Sequence, residues 1–134
     1  WEWYEKGLTD DQIVERLAEF VTTREVIRCD SAEPKTIKYL QKNGINAVGC
    51  KKFPGSRLYN IRKIKRFKKI ICSDECPNVI KELAELTFAK DRDDNLIEDE
   101  FNIDAHTFDS LVYALEPYDV TNLKYRFDKS DLGL

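Results

Sequence analysis

The sequence is poor in the residues and motifs that mark several large protein classes. Its single histidine is His106, and of its four cysteines only Cys72 and Cys76 lie close together. A structural zinc site usually needs two tight ligand pairs, so this pattern disfavours one. Cys29 and Cys50 stand in apolar runs, where a reduced cysteine behaves as a small buried hydrophobe. The cysteine pattern therefore indicates a reducing, intracellular environment.

Long apolar runs and nucleotide-binding loops are also missing. No apolar stretch approaches the ~18 residues of a membrane-spanning helix, and the N-terminus lacks a signal-peptide layout. We therefore expect a soluble protein that does not contact a membrane. Neither a Walker A loop nor a GxGxxG motif occurs, which disfavours nucleotide binding by this chain. No Ser–His–Asp arrangement is evident, so acyl-transfer chemistry ranks low.

The composition is that of one ordinary globular domain with an uneven charge distribution. The chain has 134 residues, of which 42% are hydrophobic, enough for a core without covalent staples. The net charge of -3 gives no overall sign of nucleic-acid binding. However, residues 51–69 contain nine basic and no acidic side chains, whereas residues 91–109 contain eight acidic and one basic. This layout fits a DNA-facing surface beside a metal pocket, and also fits two solvated faces.

The apolar periodicity predicts an α/β fold. A strand, a helix and a second strand follow one another in the first half, which is the unit of a parallel sheet. Proline opens two of the helices at a position where its missing N–H costs nothing. The expected helices are 10–22, 34–44, 57–67, 77–86 and 105–116. The expected strands are 25–30, 45–50 and 70–72, with the end of a strand at 1–4, a hairpin at 87–101 and an unstructured tail at 117–134.

Two groups of carboxylates are candidates for chemistry. Asp30 follows a predicted strand, and ligands of open α/β sheets bind outside the carboxyl ends of strands. His106 and Asp109 lie three residues apart and share a helix face, with Asp104 just before that helix. Carboxylates from distant segments suit two-metal phosphodiester hydrolysis, and oxygen ligands favour Mg²⁺ or Mn²⁺. The alternatives are a turn or capping role for Asp30 and Asp104, and a surface His–Asp pair.

Five segments, in order along the chain, resemble motifs of one family. Residues 2–9 are similar to E-x-Y-x-x-G-L-T, 30–35 to D-S-A-E-P-K, 49–56 to G-A-x-K-x-x-G-S, 76–83 to C-x-N-x-x-x-E-L, and 106–115 to N-H-x-x-D-A-x-R-Y-A-L. These are motifs of the large terminase subunits of the phage PBSX-like group. Together they are far more specific than any one of them, and they place residues 1–116 in the C-terminal RNase H-like nuclease domain.

The resemblance implies a fold, an activity and a set of partners. The fold is an RNase H-like mixed sheet flanked by helices, and the activity is metal-dependent cleavage of concatemeric double-stranded DNA in the host cytoplasm. Carried over by motif, Asp30 and Asp109 are catalytic aspartates that hold two Mg²⁺ or Mn²⁺ ions, with His106 and Asp104 beside them. The loop with Lys51, Lys52, Ser56 and Arg57 is expected to bind DNA. The implied partners are the terminase ATPase domain, the portal and the small terminase subunit.

The sequence departs from the family pattern at several points. Nothing in it matches the G-x-D-x-G context of the first catalytic aspartate, so we expect the chain to begin at the third strand of the domain. The ATPase motor has no counterpart, and Ala105 and Val112 replace the family's asparagine and arginine. The alternative function is therefore a non-catalytic fragment or degenerate copy that binds DNA or a packaging partner.

Overall fold

A computed structural model describes residues 1–118 and contains helices and short strands in alternation. The helices are α1 (Asp10–Phe20), α2 (Pro34–Lys42), α3 (Ser56–Ile64), α4 (Pro77–Glu85) and α5 (His106–Ala114). The strands are β1 (Ile27–Cys29), β2 (Ala47–Gly49), β3 (Phe88–Lys90) and β4 (Leu96–Phe101). All five predicted helices are confirmed, and each is shorter than predicted by one to three residues at its C-terminal end, where few intrahelical bonds remain.

The first half of the chain forms the predicted strand–helix–strand unit. β1 and β2 pair in parallel with Ile27 opposite Ala47 and Cys29 opposite Gly49. The connecting helix, α2, packs its buried Ile37 and Leu40 against this sheet. Partly buried side chains of α1 pack against the same cluster, and α1 contacts α2. Because both strands run in the same direction, the residues that follow them emerge at one edge. This places Asp30 and the loop that begins at Lys51 next to each other.

The second half packs around α5. Its core consists of Ile61 and Ile64 from α3 and Phe108 and Val112 from α5, with Ala105 at the start of that helix. The predicted hairpin is confirmed, with β3 antiparallel to β4 and the turn closed by bonds to the Asp91 carboxylate. α5 also contacts β1, so the helix that carries His106 and Asp109 meets the edge of the parallel sheet that carries Asp30.

Two strand predictions are wrong. Residues 70–72 and 1–4 are not in a strand, although their apolar or alternating patterns suit one. A strand exists only where another backbone supplies ladder hydrogen bonds, and within residues 1–118 neither segment has such a neighbour. Ile71 is accordingly 81% exposed. In this part of the chain the strands form two separate two-stranded sheets, one parallel and one antiparallel.

Two further predictions concern the C-terminal tail and contact with a membrane. Most of the predicted tail at 117–134 lies outside the described residues, so its structure stays a prediction. Within residues 1–118, no helix has the length and apolarity needed to cross a membrane.

Candidate metal and DNA site

Asp30 lies at the carboxyl edge of the parallel sheet and is held by three donors. Its carboxylate accepts hydrogen bonds from the Ala32 backbone N–H at 2.9 Å and from the Tyr113 hydroxyl at 3.2 Å. The Lys52 ammonium forms an ion pair with it. The Lys52 contact, followed by the Ala32 bond, holds the pKa of Asp30 below its ordinary value. Asp30 is therefore a fixed anion at the surface.

Asp109 occupies the first turn of α5 in a more enclosed environment. Its side chain is 36% exposed, and the Arg57 guanidinium lies 4.0 Å from its Oδ2 atom. Burial raises the pKa of Asp109, and the positive charges of Arg57 and His106 only partly oppose this effect. The negative charge of Asp30 makes a smaller contribution that also raises the pKa of Asp109.

Tyr113 connects the two aspartates. It lies one helical turn after Asp109, and its hydroxyl donates to Asp30 in a different element. Burial and the charges of both aspartates raise the pKa of Tyr113 to about 12, so the hydroxyl keeps its proton and remains a donor. This bond ties α5 to the end of β1. This bond could not be predicted from the sequence, because a tyrosine on an apolar helix face is typical of a core residue.

Asp109 lines a cleft of about 240 Å³ whose wall also carries basic side chains, and two residues of that wall, Lys52 and Tyr113, contact Asp30. Asp109 and Tyr113 of α5 line the cleft. It is also lined by four residues from the loop after β2 and the start of α3, which together we call the basic loop: Lys51, Lys52, Ser56 and Arg57. All four predicted DNA-binding residues therefore lie in one cleft with Asp109, and Lys52 reaches Asp30.

Contacts from distant segments hold the basic loop in place. The Glu116 carboxylate accepts a 2.6 Å hydrogen bond from the Lys51 backbone N–H and pairs with Arg28. The Arg57 guanidinium lies over the Phe101 ring, 5.3 Å from its centre. The loop turns at Gly55, whose φ of 79° is in the left-handed region that glycine enters without a steric cost. The cationic side chains are thus carried by a fixed backbone.

The structure places the other two predicted ligands away from this cleft. The His106 ring lines a different cavity, of about 580 Å³, with the N-terminal segment, and its centre is 6.5 Å from that of Tyr4. Asp104 is exposed and donates no cap to α5. Within residues 1–118, no three histidine, cysteine or acidic side chains lie close enough together to bind a metal ion. The structure therefore brings Asp30, Asp109 and the basic loop together, with His106 on the adjacent side of α5.

Glu82 is a buried acidic residue of α4 whose contacts with α5 could not be predicted from the apolar periodicity of its own helix. It is 8% exposed, and its Oε2 atom accepts hydrogen bonds from the Thr107 N–H at 2.8 Å, the Thr107 hydroxyl at 2.6 Å and the Phe108 N–H at 3.1 Å. Ala105, at the N-cap of α5, has no side chain that could do this. Glu82 of α4 therefore caps α5 and fixes the helix that carries Asp109.

The donor set fits a hard divalent cation. Asp30 and Asp109 offer carboxylate oxygens from two elements, and oxygen ligands are those that Mg²⁺ and Mn²⁺ prefer. Burial, with a smaller contribution from the charge of Asp30, disfavours the charged form of Asp109, and a bound cation would offset both effects. Two carboxylates supply only part of the ligands that such ions need, so further ligands must come from outside this pair.

The comparisons with known proteins agree on one family. Residues 1–117 match the family described as "Terminase RNAseH like domain". Over 124 residues the chain is 55% identical to the PBSX phage terminase large subunit of Bacillus subtilis (strain 168). The aligned region covers 92% of this chain but only 29% of that protein.

A solved structure shows a similar fold. It is the nuclease domain of g2p, the large terminase of bacteriophage SPP1, with bound Mn, and it superposes with a TM-score of 0.72 at 25% identity. The match covers 82% of this chain and 64% of that one. The expected RNase H-like fold is thereby confirmed. On the family match and the high identity together, the chain belongs to the terminase RNase H-like domain family.

Proposed function

We propose that this chain is the DNA-cutting part of a terminase large subunit, a metal-dependent endonuclease that hydrolyses concatemeric double-stranded DNA with two Mg²⁺ or Mn²⁺ ions. The single observation that carries the proposal is the cleft in which Asp109 and the basic loop meet, with Asp30 tied to it by Tyr113 and Lys52. A solved relative whose nuclease domain binds Mn supports the choice of a divalent cation.

Each residue of the cleft has a distinct role in this proposal. Asp30 and Asp109 hold the cations, which when bound activate a water molecule and stabilise the leaving oxygen. Tyr113 keeps the Asp30 carboxylate in one orientation through its hydroxyl. Lys51, Lys52 and Arg57 bind the phosphates on either side of the cut, and Ser56 adds a hydroxyl to the same wall. His106, at the start of α5, and Asp104, two residues before it, would act as outer ligands or orient water.

The partners follow from the relatives and not from a surface of this chain. The chain spans less than a third of the curated relative that it matches, so the complete protein has room for further domains. We infer that these include the packaging ATPase, and that the portal and the small terminase subunit assemble with it. The site of action is the cytoplasm of a bacterial host that carries the phage or prophage.

The proposal is tested by cleavage of plasmid DNA in Mn²⁺ or Mg²⁺. A longer protein that includes the segment preceding Trp1 should cut, and Asp109→Asn in that protein should abolish cutting because it removes one cation-binding charge. Asp93→Asn, on the exposed turn of the β3–β4 hairpin, is the matched control and should cut normally. If Asp109→Asn cuts as fast as the parent protein while folded, Asp109 has no role in catalysis.

A second candidate is a non-catalytic copy that binds DNA or a packaging partner. The observation that favours it is that the described residues contain no set of three acidic, histidine or cysteine side chains placed to hold a metal. We expect the 134-residue chain alone to cut poorly even in Mn²⁺. If the longer protein also fails to cut but binds DNA, the non-catalytic function is correct. Strong cutting by the 134-residue chain would mean that the third ligand lies within it.

A further inference from the structure

Two exposed aromatic side chains lie beside the cleft without a role in it. Phe53, in the loop before α3, is 50% exposed, and Tyr59, in the first half of α3, is 55% exposed. Their rings contact each other edge to face, with centres 5.8 Å apart and planes inclined at 64°. Such a contact leaves much of each ring face accessible. We call these two residues the aromatic pair.

Cationic side chains lie near the aromatic pair. A hollow of about 400 Å³ is lined by both rings together with Lys51. A second hollow, of about 260 Å³, is lined by Tyr59 together with Arg62 and Arg66. All three cations are exposed, although Arg62 shares a surface ion pair with Glu98. The Glu116 carboxylate also lines the first hollow, where it pairs with Arg28 and accepts from the Lys51 backbone N–H. Cationic side chains and aromatic rings therefore predominate on this surface.

This surface continues the wall of the cleft. Lys51 belongs both to the cleft and to the hollow with the aromatic pair. The backbone between them is fixed, since the Ser56 N–H donates to the Phe53 carbonyl at 2.9 Å and the Tyr59 N–H donates to the Gly55 carbonyl at 3.0 Å. A strand of DNA whose phosphates follow the basic loop out of the cleft passes the aromatic pair next.

The combination of a basic track and aromatic rings is suited to unpaired bases. Phosphates bind the cations, and a base with a free face stacks on an aromatic side chain. Inside a duplex each base face is covered by its neighbours, so stacking there requires unstacking of the DNA. A surface that serves only the phosphate backbone of duplex DNA needs no exposed aromatic rings.

We propose that the aromatic pair is a binding site for an unpaired DNA base beside the cut, so that this domain prefers DNA with a locally separated or frayed strand. The proposal deepens the proposed nuclease function and depends on it only for the identity of the polymer. The aromatic pair supplies the preference for unpaired bases, and the basic loop supplies affinity for any DNA.

The test measures DNA binding without cleavage. The 134-residue chain is titrated in EDTA against a labelled single-stranded oligonucleotide and against a blunt duplex of the same length, with fluorescence anisotropy as the readout. A double substitution, Phe53→Ala with Tyr59→Ala, should weaken single-strand binding about tenfold or more, the usual effect of losing a base stack. Duplex binding should change by less than about twofold.

Two control variants separate stacking from general damage. Tyr59→Phe keeps the ring and loses only the hydroxyl, so it should bind the single strand as the parent does. Phe20→Ala removes a 42% exposed aromatic side chain on α1 and should also leave binding unchanged. Circular dichroism confirms that each variant is folded, which we expect because Phe53 and Tyr59 lie outside both cores.

A second readout reports the stacking itself. A 2-aminopurine base in the single strand should lose fluorescence on binding to the parent chain and keep it with the double variant. Equal losses of affinity for the two DNAs, or no loss in a folded double variant, would overturn the aromatic site. Neither result touches the nuclease function, which is measured by metal-dependent cutting. Conversely, absence of cutting leaves a measured preference for unpaired bases intact.

Discussion

Replacing Glu82 by alanine tests whether a contact between helices fixes the helix that carries Asp109. In the native fold one carboxylate oxygen of Glu82 accepts three hydrogen bonds, at 2.8, 2.6 and 3.1 Å, from the first turn of α5. The substitution deletes that acceptor and leaves two backbone N–H groups and a hydroxyl in a buried region. It also removes a negative charge from the positive end of the helix dipole.

The expected loss of stability follows from these contacts. Loss of a helix cap costs about 0.5–2 kcal/mol. Each buried donor left without an acceptor costs about 1–3 kcal/mol, and water that enters the space left by the side chain recovers part of this. We expect the free energy of unfolding to fall by roughly 3 kcal/mol for Glu82→Ala. For Glu82→Gln, which keeps an acceptor oxygen but loses the charge, we expect a loss of roughly 1–2 kcal/mol.

The assay is urea unfolding followed by far-ultraviolet circular dichroism. Glu85→Ala is the matched control, because it removes the same side chain from an exposed position on the same helix and should change stability by less than about 0.5 kcal/mol. A Glu82→Ala chain as stable as Glu85→Ala would show that α5 does not depend on this cap. An equal loss for the alanine and glutamine variants would show that the cost comes from the lost negative charge, which both variants share, and not from the lost acceptor or the lost side-chain volume.

Three further predictions concern the cleft and its surroundings. Replacing Lys51, Lys52 and Arg57 together by glutamate should weaken duplex binding. The slope of log affinity against log salt should become shallower by about 2–3, because each phosphate contact contributes about 0.9 to that slope. An unchanged slope would show that the basic loop does not contact DNA. The control of equal charge change is glutamate at three exposed lysines of α2: Lys35, Lys38 and Lys42. Tyr113→Phe should leave the longer protein folded and weaken its affinity for Mn²⁺, measured by calorimetry, about 10- to 100-fold, because the lost hydroxyl orients a metal ligand. An unchanged affinity would contradict the role of Tyr113 in orienting Asp30. Burial, followed by the charge of Glu116, raises the pKa of Cys50 from 9.0 to about 11, so its protonated form stabilises the fold. That contribution is complete below pH 9 and is lost as the pH rises through about 11, by about 3 kcal/mol at most, since each pKa unit corresponds to ~1.4 kcal/mol. A Cys50→Ala chain with the same decline in stability over this range would exclude Cys50 as its cause.

The sequence alone determined the elements whose causes are local. α1 starts where predicted, behind a capping box of Thr9 and Gln12 whose partners lie within four residues of each other. α2 and α4 start at the predicted prolines, and the hairpin lies within the predicted range 87–101. The motifs also identified the family and marked Asp30, Asp109 and the basic loop as candidates. Periodicity and capping act over one or two turns, so a linear pattern is sufficient for them.

Only the tertiary structure decided which of these groups meet. The bond from Tyr113 to Asp30 joins residues 83 positions apart, and the bond from Lys51 to Glu116 joins residues 65 apart. The same packing turned His106 towards the N-terminal segment and, among residues 1–118, left residues 70–72 without a strand partner. Such contacts depend on how α5 docks against β1 and α4, which is set by the summed burial of many apolar side chains. No local pattern encodes that sum, so the candidates were visible in the sequence while the cleft was not.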